Sequence, residues 1–223
     1  MLKAELINKV NFKGAIIGMR YPFKSTEKAD SMYLYSENDV LGPEDLDLAK
    51  KLVHAGDDSH AKFLRMIHVT CSIQAPLYWW KEMDQYKVST TTNSESTMHT
   101  LTKKPLTIDD FSIPYCPRNN DICRKVDLYM IDKFTQDINT CNFIIDRLRQ
   151  LDREKEKEIY DFYWYWLITY LPESYNQTRM WDADYQTLRH IYFQRKGHPL
   201  KEWEDFRKWI ETLPYAKEFI TCK

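Results

Sequence analysis

Arg195 is the residue in this chain that most needs a chemical partner. It follows Leu188, Ile191 and Tyr192 at positions i, i+3, i+4 and i+7 of one helix face. A guanidinium among apolar neighbours needs an internal carboxylate or an acceptor on a bound ligand, and both possibilities stand. A second concentration of polar groups is "STTTNSEST" at 89–97, whose hydroxyls and amides gain little from burial. It is either a solvated loop or a surface shaped to hold something polar. His60 comes directly after "GDDS", between a helix and a strand, where loop side chains often project into clefts. Taken alone, a surface histidine is the plainer reading.

Other chemistries lack their residues. The five glycines form neither a G-x-G-x-x-G nor a P-loop, which argues against dinucleotide and P-loop folds. Cys116 and Cys123 in "CPRNNDIC" have the wrong separation for a zinc knuckle, and no H-E-x-x-H supplies further ligands, so no metal is expected. No G-x-S-x-G elbow is present, and no cysteine has an activating context. The run "YDFYWYWLITYLP" could offer a stacking platform, but Tyr160, Tyr163, Trp164 and Leu167 at helical spacing are more simply core.

These side chains must be held by the surrounding elements. Residues 2–19 alternate loosely and predict one or two short strands. Pro43 with Glu44 and Asp45 opens a helix over 43–55, striped by Leu46, Leu48, Ala49, Leu52 and Val53 and closed by Gly56. "RMIHVTCSI" alternates as a strand ended by Pro76. Trp79, Trp80, Met83 and Tyr86 then recur at helical spacing. Helices are predicted at 107–112, 125–150, 154–170, 182–196 and 199–212, with "LPESYNQTR" as one of the separators.

Composition sets the class. The chain has 223 residues, 43% of them apolar, enough for one compact domain over 1–223. With 32 basic and 33 acidic residues, no global field recruits nucleic acid or an anionic membrane. Five scattered cysteines suit reduced thiols, and no signal peptide or membrane span is read, so a cytoplasmic protein is expected.

The segment "LAKKLVHAGDDSHAKFLRMIHVTCSIQAPLYWWKEMDQYKVSTTTNSESTMH" and, later, "DADYQTLRHIYFQR" resemble the motif regions of the flavin-dependent thymidylate synthases. In that family a helix leads to a glycine and a histidine, then a strand ending in Ala-Pro. A helix bearing Arg-His-Arg-x-x-Ser-x-Asn-x-x-Ser-x-Arg-Tyr follows. Here His60 falls at the flavin-contacting histidine and Ala75-Pro76-Leu77-Tyr78 at the strand end. Arg195 matches the nucleotide-binding arginine of the last conserved helix, and Asp184 replaces the asparagine that begins it. The Arg-His-Arg triplet falls on Tyr86-Lys87-Val88 or on Gln85-Tyr86-Lys87, so only Lys87 is cationic. Glu82 stands where the family has a nucleotide-contacting glutamine, and Met98-His99 replace the final Arg-Tyr.

The resemblance implies an α+β fold, a small mostly antiparallel sheet with several long helices and a helix-rich C-terminal half. It also implies a homotetramer that converts dUMP to dTMP using FAD, NADPH and methylenetetrahydrofolate. On it, Arg195 is the catalytic contact to the pyrimidine, and His60 with Lys87 binds the flavin. Glu82, Asn93, Ser96 and Arg195 hold the nucleotide. A divergent nucleotide-directed flavoenzyme, a non-catalytic nucleotide-binding sensor or sponge on the same scaffold, and a helical interaction module are the alternatives.

Overall fold

The computed structural model describes residues 2–35, 39–55, 59–114 and 121–222, although the side chains of 121–123 and 126 are outside the description. Cys116 and the Cys123 side chain, like Gly56 at the expected helix end, therefore lie outside the described residues. The elements in chain order are β1 (Lys3–Leu6), α1 (Lys13–Arg20), α2 (Pro43–Val53), β2 (His68–Pro76), α3 (Leu77–Met83), β3 (Thr90–Ser94), α4 (Thr97–Thr100), α5 (Asp121–Gln150), α6 (Lys157–Tyr170), β4 (Asn176–Asp184), α7 (Tyr185–Gln194), α8 (Lys201–Ile210) and α9 (Ala216–Phe219). The class is α+β, with a four-stranded sheet in the order β1-β2-β4-β3. β1 pairs antiparallel with β2, Lys3 opposite Gln74 and Leu6 opposite Cys71. No helix among the described residues is long and apolar enough to cross a membrane.

The chain forms two compact units, the first made of Met1–Gln74, Lys81–Asn93 and Thr178–Lys223, the second of Ala75–Trp80 and Ser94–Gln177. In the first unit, β2 presents Val69, Cys71 and Ile73 to the core and His68, Thr70 and Ser72 to the other side, the alternation its sequence predicts. Ile16 of α1, Trp181 of β4, Leu188 and Ile191 of α7, and Trp203, Phe206 and Ile210 of α8 are buried in the same unit. Each fully buried side chain of this size contributes about 1.5–3 kcal/mol. α2 starts where predicted. Asp30 caps it from a distant loop, accepting the amides of Glu44 at 2.9 Å and Asp45 at 3.0 Å. Gly42 permits that approach, since a Cβ there would lie 2.2 Å from the Asp30 carboxyl carbon.

In the second unit, α5 and α6 pack around Leu101, Leu106, Ile138, Cys141, Ile145, Leu148 and Leu167. Tyr160, Tyr163 and Trp164 are partly buried against this core, as their helical spacing predicts. Phe162, Tyr165 and Trp166 on α6 and Tyr129 and Phe143 on α5 are exposed.

Three sequence expectations change. The second half of the segment at 2–19 is helical, because Ala15, Ile16 and Met19 share a helix face and are buried. The hydroxyl-rich stretch contains the strand β3, which lies at the sheet edge and shows no apolar alternation because four of its five positions are exposed. The separator "LPESYNQTR" runs into β4, and the helix expected from 182 starts at Tyr185. β4 is inconspicuous because polar Gln177 fills one of its buried alternate positions, ahead of Trp181 and Ala183.

Candidate functional site

The guanidinium of Arg195 reaches Glu82 across 113 positions of sequence, its Nη1 donating to Oε2 at 2.6 Å. Its Nε donates to the Tyr86 hydroxyl at 2.8 Å, and that hydroxyl donates to Gln194 Oε1 at 3.1 Å. The Arg195 guanidinium carbon lies 4.2 Å from the centroid of the Trp203 ring and 5.3 Å from that of Tyr86. These contacts hold the cation on the aromatic faces and fix its plane. Trp203 is fully buried, and its Nε1 donates to the same Glu82 oxygen at 2.8 Å.

His198 stands beside the pair, its Nε2 3.3 Å from Glu82 Oε2. The Leu200 amide donates to His198 Nδ1 at 3.2 Å. Nδ1 therefore serves as acceptor, which assigns the neutral ring's proton to Nε2 and aims it at Glu82. Gly197 makes this geometry possible: its φ of 71° is in the left-handed region, and the turn it allows brings His198 back beside Arg195.

Two hydrogen-bond donors thus converge on one carboxylate oxygen, with the His198 ring beside them. Among the described residues, Glu82 Oε1 and Arg195 Nη2 carry no hydrogen bond, and their side chains keep 33% and 18% of their surface exposed. The pair therefore keeps an unfilled acceptor and an unfilled donor beside the rings of Trp203 and Tyr86.

Local structure explains why these groups stay in place. Asp184 caps α7 by accepting the Thr187 amide at 2.7 Å, and the Thr187 hydroxyl donates to Val88 O at 3.2 Å, tying down the segment after α3. Arg207 of α8 donates to Tyr192 O at 2.9 Å, joining α8 to the last turn of α7. Arg189 Nη1 donates to Cys222 O at 2.7 Å and anchors the C-terminal segment.

His60 is exposed and lines a separate groove of about 900 Å³ between α1, α2 and the turn at Lys62–Met66. Its wall includes Ile17, Tyr21, Phe23, Phe63 and Met66, with Lys13 and Lys62 as cations and no carboxylate among the described lining residues. Gly14 and Gly18, one turn apart, leave a flat helix surface beside Met66. Lys87 is exposed on the connection between α3 and β3, and Asn93 is exposed on β3. Ser96 belongs to the second unit, at the start of α4, where its carbonyl accepts from the Thr100 hydroxyl at 2.8 Å.

Arg195 and Glu82 are thus brought together, and His60, Lys87, Asn93 and Ser96 do not join their hydrogen-bond cluster. Tyr86, His198 and Trp203 were not singled out for this site from the sequence. No periodicity links residue 82 to residues 198 and 203, although the helical aromatics and the "KGHP" turn were visible separately. Two of the described thiols are poor nucleophiles: burial pushes Cys71 up to about 12 and Cys141 up to about 11. Among the described residues, no group of three or more His, Cys, Asp or Glu side chains is placed to hold a metal.

No protein-family model and no curated protein sequence matches the chain. Solved structures do. Thymidylate synthase X from Helicobacter pylori, crystallised with FAD and dUMP, aligns at a TM-score of 0.66, covering 98% of this chain and 97% of its own at 16% identity. The chain has the fold of the flavin-dependent thymidylate synthases. A UMP/dUMP methylase, PolB from Streptomyces cacaoi bound with 5-Br dUMP, aligns at a TM-score of 0.64, with coverages of 97% and 91% and 14% identity. The α+β class of this thymidylate-synthase-like fold agrees with the expectation from the two motif regions.

Proposed function

We propose that the protein is a divergent flavoenzyme directed at a pyrimidine nucleotide, a thymidylate synthase-like methyltransferase in which Arg195 and Glu82 hold the base. The observation that carries this reading is the unfilled donor and acceptor, Arg195 Nη2 and Glu82 Oε1, left by one ion pair and complementary in kind to the polar edge of a pyrimidine. The likeness in fold to proteins crystallised with dUMP or its bromo analogue supports it. In this role Arg195 donates to the ring and stabilises the negative charge that develops on it, while Trp203 fixes the guanidinium plane. Asn93, exposed on β3, is the proposed phosphate contact.

The groove beside His60 fits a flavin. Its aromatic and aliphatic wall suits a planar ring system, and Lys13 and Lys62 suit phosphates. Bound there, the cofactor supplies the redox chemistry, with NADPH as reductant and methylenetetrahydrofolate as one-carbon donor. Lys87, exposed beyond α3, is a further proposed cation for it. The exposed aromatics of α5 and α6 support a homo-oligomer, proposed as a tetramer in the cytoplasm.

The ion pair between Arg195 and Glu82 also favours a second reading, a non-catalytic nucleotide-binding protein, because it neutralises a cation that an anionic substrate would use. One run separates the two. The purified protein is incubated with FAD and passed through gel filtration, with absorbance recorded near about 375 and 450 nm, the bands of the flavin itself. Co-eluting flavin absorbance is the expected result. A colourless protein that still shifts its melting temperature with pyrimidine nucleotides would replace the enzyme with the binding protein, and elution as a monomer would remove the tetramer.

A further inference from the structure

We propose that the open edge of the Glu82–Arg195 pair selects a cytosine nucleotide over a uracil nucleotide, an inference that rests on the reading of this site as a pyrimidine site. Glu82 is the deciding residue. Its Oε2 already accepts from Arg195 Nη1 and Trp203 Nε1, with His198 Nε2 3.3 Å away, which holds the carboxylate and leaves Oε1 without a hydrogen bond. At neutral pH a glutamate carboxylate only accepts, and a guanidinium only donates. The pair therefore offers an acceptor from Glu82 and donors from Arg195.

Cytosine matches both. Its exocyclic amino group donates to Glu82 Oε1, and its neighbouring ring nitrogen accepts from Arg195 Nη2. The amino group of cytosine is the usual base partner of a carboxylate. Uracil presents its single ring N–H between two carbonyl oxygens. If Oε1 accepts from that N–H and the guanidinium donates to one carbonyl, the partial negative charge of the other carbonyl is left beside the carboxylate. If Oε1 meets the carbonyl that replaces the amino group, two acceptors face each other without a proton between them. Rotation of Glu82 to avoid this conflict would break two hydrogen bonds, one of them to fully buried Trp203.

The Arg195 side of the edge tolerates both bases, because a donor is satisfied by a ring nitrogen or by a carbonyl. Discrimination therefore belongs to residue 82. A glutamine there would keep an acceptor for Arg195 and turn an amide N–H toward the ligand, which suits the uracil carbonyl.

The test is calorimetric titration of dCMP and of dUMP into the full-length protein and into its Glu82→Gln and Arg195→Ala variants, with thermal melts of each to confirm folding. The unmodified protein is expected to bind dCMP roughly ten- to a hundredfold more tightly than dUMP, the range of one well-placed base contact. Glu82→Gln should abolish or invert that ratio, and Arg195→Ala should weaken both ligands together. Equal or tighter binding of dUMP by the unmodified protein would overturn the selection while leaving the pyrimidine site standing. Binding of neither nucleotide would remove the pyrimidine reading and this inference with it.

Discussion

Two arginine–carboxylate pairs in the first unit share the same chemistry and differ in what surrounds them. Arg20 and Asp45 meet at 2.5 Å with 3% and 0% of their side-chain surfaces exposed. Asp45 Oδ2 also accepts the amides of Asp30 and Ser31 and the Ser31 hydroxyl, so both carboxylate oxygens are engaged. Arg20 Nη2 has no partner but is sealed from solvent. Arg195 and Glu82 leave one donor and one acceptor open, with part of each side chain exposed. A closed pair holds a fold together. A half-open pair can exchange water for a ligand, because its free groups lose little on being re-bonded.

The strongest way to break that comparison is to remove one carboxylate from each pair. Asp45→Ala should cost about 3–5 kcal/mol in urea unfolding, because it strands a buried guanidinium. Glu82→Ala, at a side chain one-third exposed, should cost less, about 1–3 kcal/mol, chiefly from the Trp203 Nε1 left without its acceptor. Equal losses would mean that both pairs are structural and that the site is misread. The groove beside His60 offers a smaller test. Gly18→Leu would place a side chain on its flat helix surface, where a Cβ already stands 3.5 Å from Met66 Sδ. Flavin retention should fall at least about tenfold, while stability holds or rises by up to about 1 kcal/mol from the gain in helix propensity. A drop in both would mean that the groove is part of the core.

A third carboxylate sharpens the contrast at the small end. Asp110 closes a capping box with Thr107 and bonds Lys104 at 2.7 Å. Burial alone would raise its pKa, but the bonds from Lys104 and Thr107 outweigh burial and hold it below the usual carboxylate range. A depressed pKa gives stability that is present above the unfolded value of about 4 and lost as pH falls through the folded value. Asp110→Ala should therefore cost about 1 kcal/mol at pH 7, and less when unfolding is repeated at about pH 2.5. A pH-independent gap would assign the loss to packing instead.

Much of the scaffold is legible in the chain itself. β2 shows because β-branched residues alternate with polar ones from His68 onward, and α2 because Pro43, Glu44 and Asp45 mark its first turn. β4 is hidden because Gln177 occupies a buried position that the alternation rule expects to be apolar. α1 escapes because eight residues with two glycines carry a weak helical signature, settled only when Ile16 and Met19 find a core. Arg195 stood out as a cation needing an acceptor, with an internal ion pair and a ligand both open. The fold shows that the pair exists and that it is incomplete.

By itself, the sequence determined α2, β2 and α3, the absence of glycine-rich phosphate loops, and the placing of Arg195 on an apolar helix face. Only the tertiary structure decided that Glu82, Tyr86, His198 and Trp203 meet around it, which oxygen of Glu82 is filled, and which remains open. The physical reason lies in range. Periodicity and turn chemistry are set by neighbours a few residues apart, whereas the number of donors on a carboxylate depends on which distant helices pack against it.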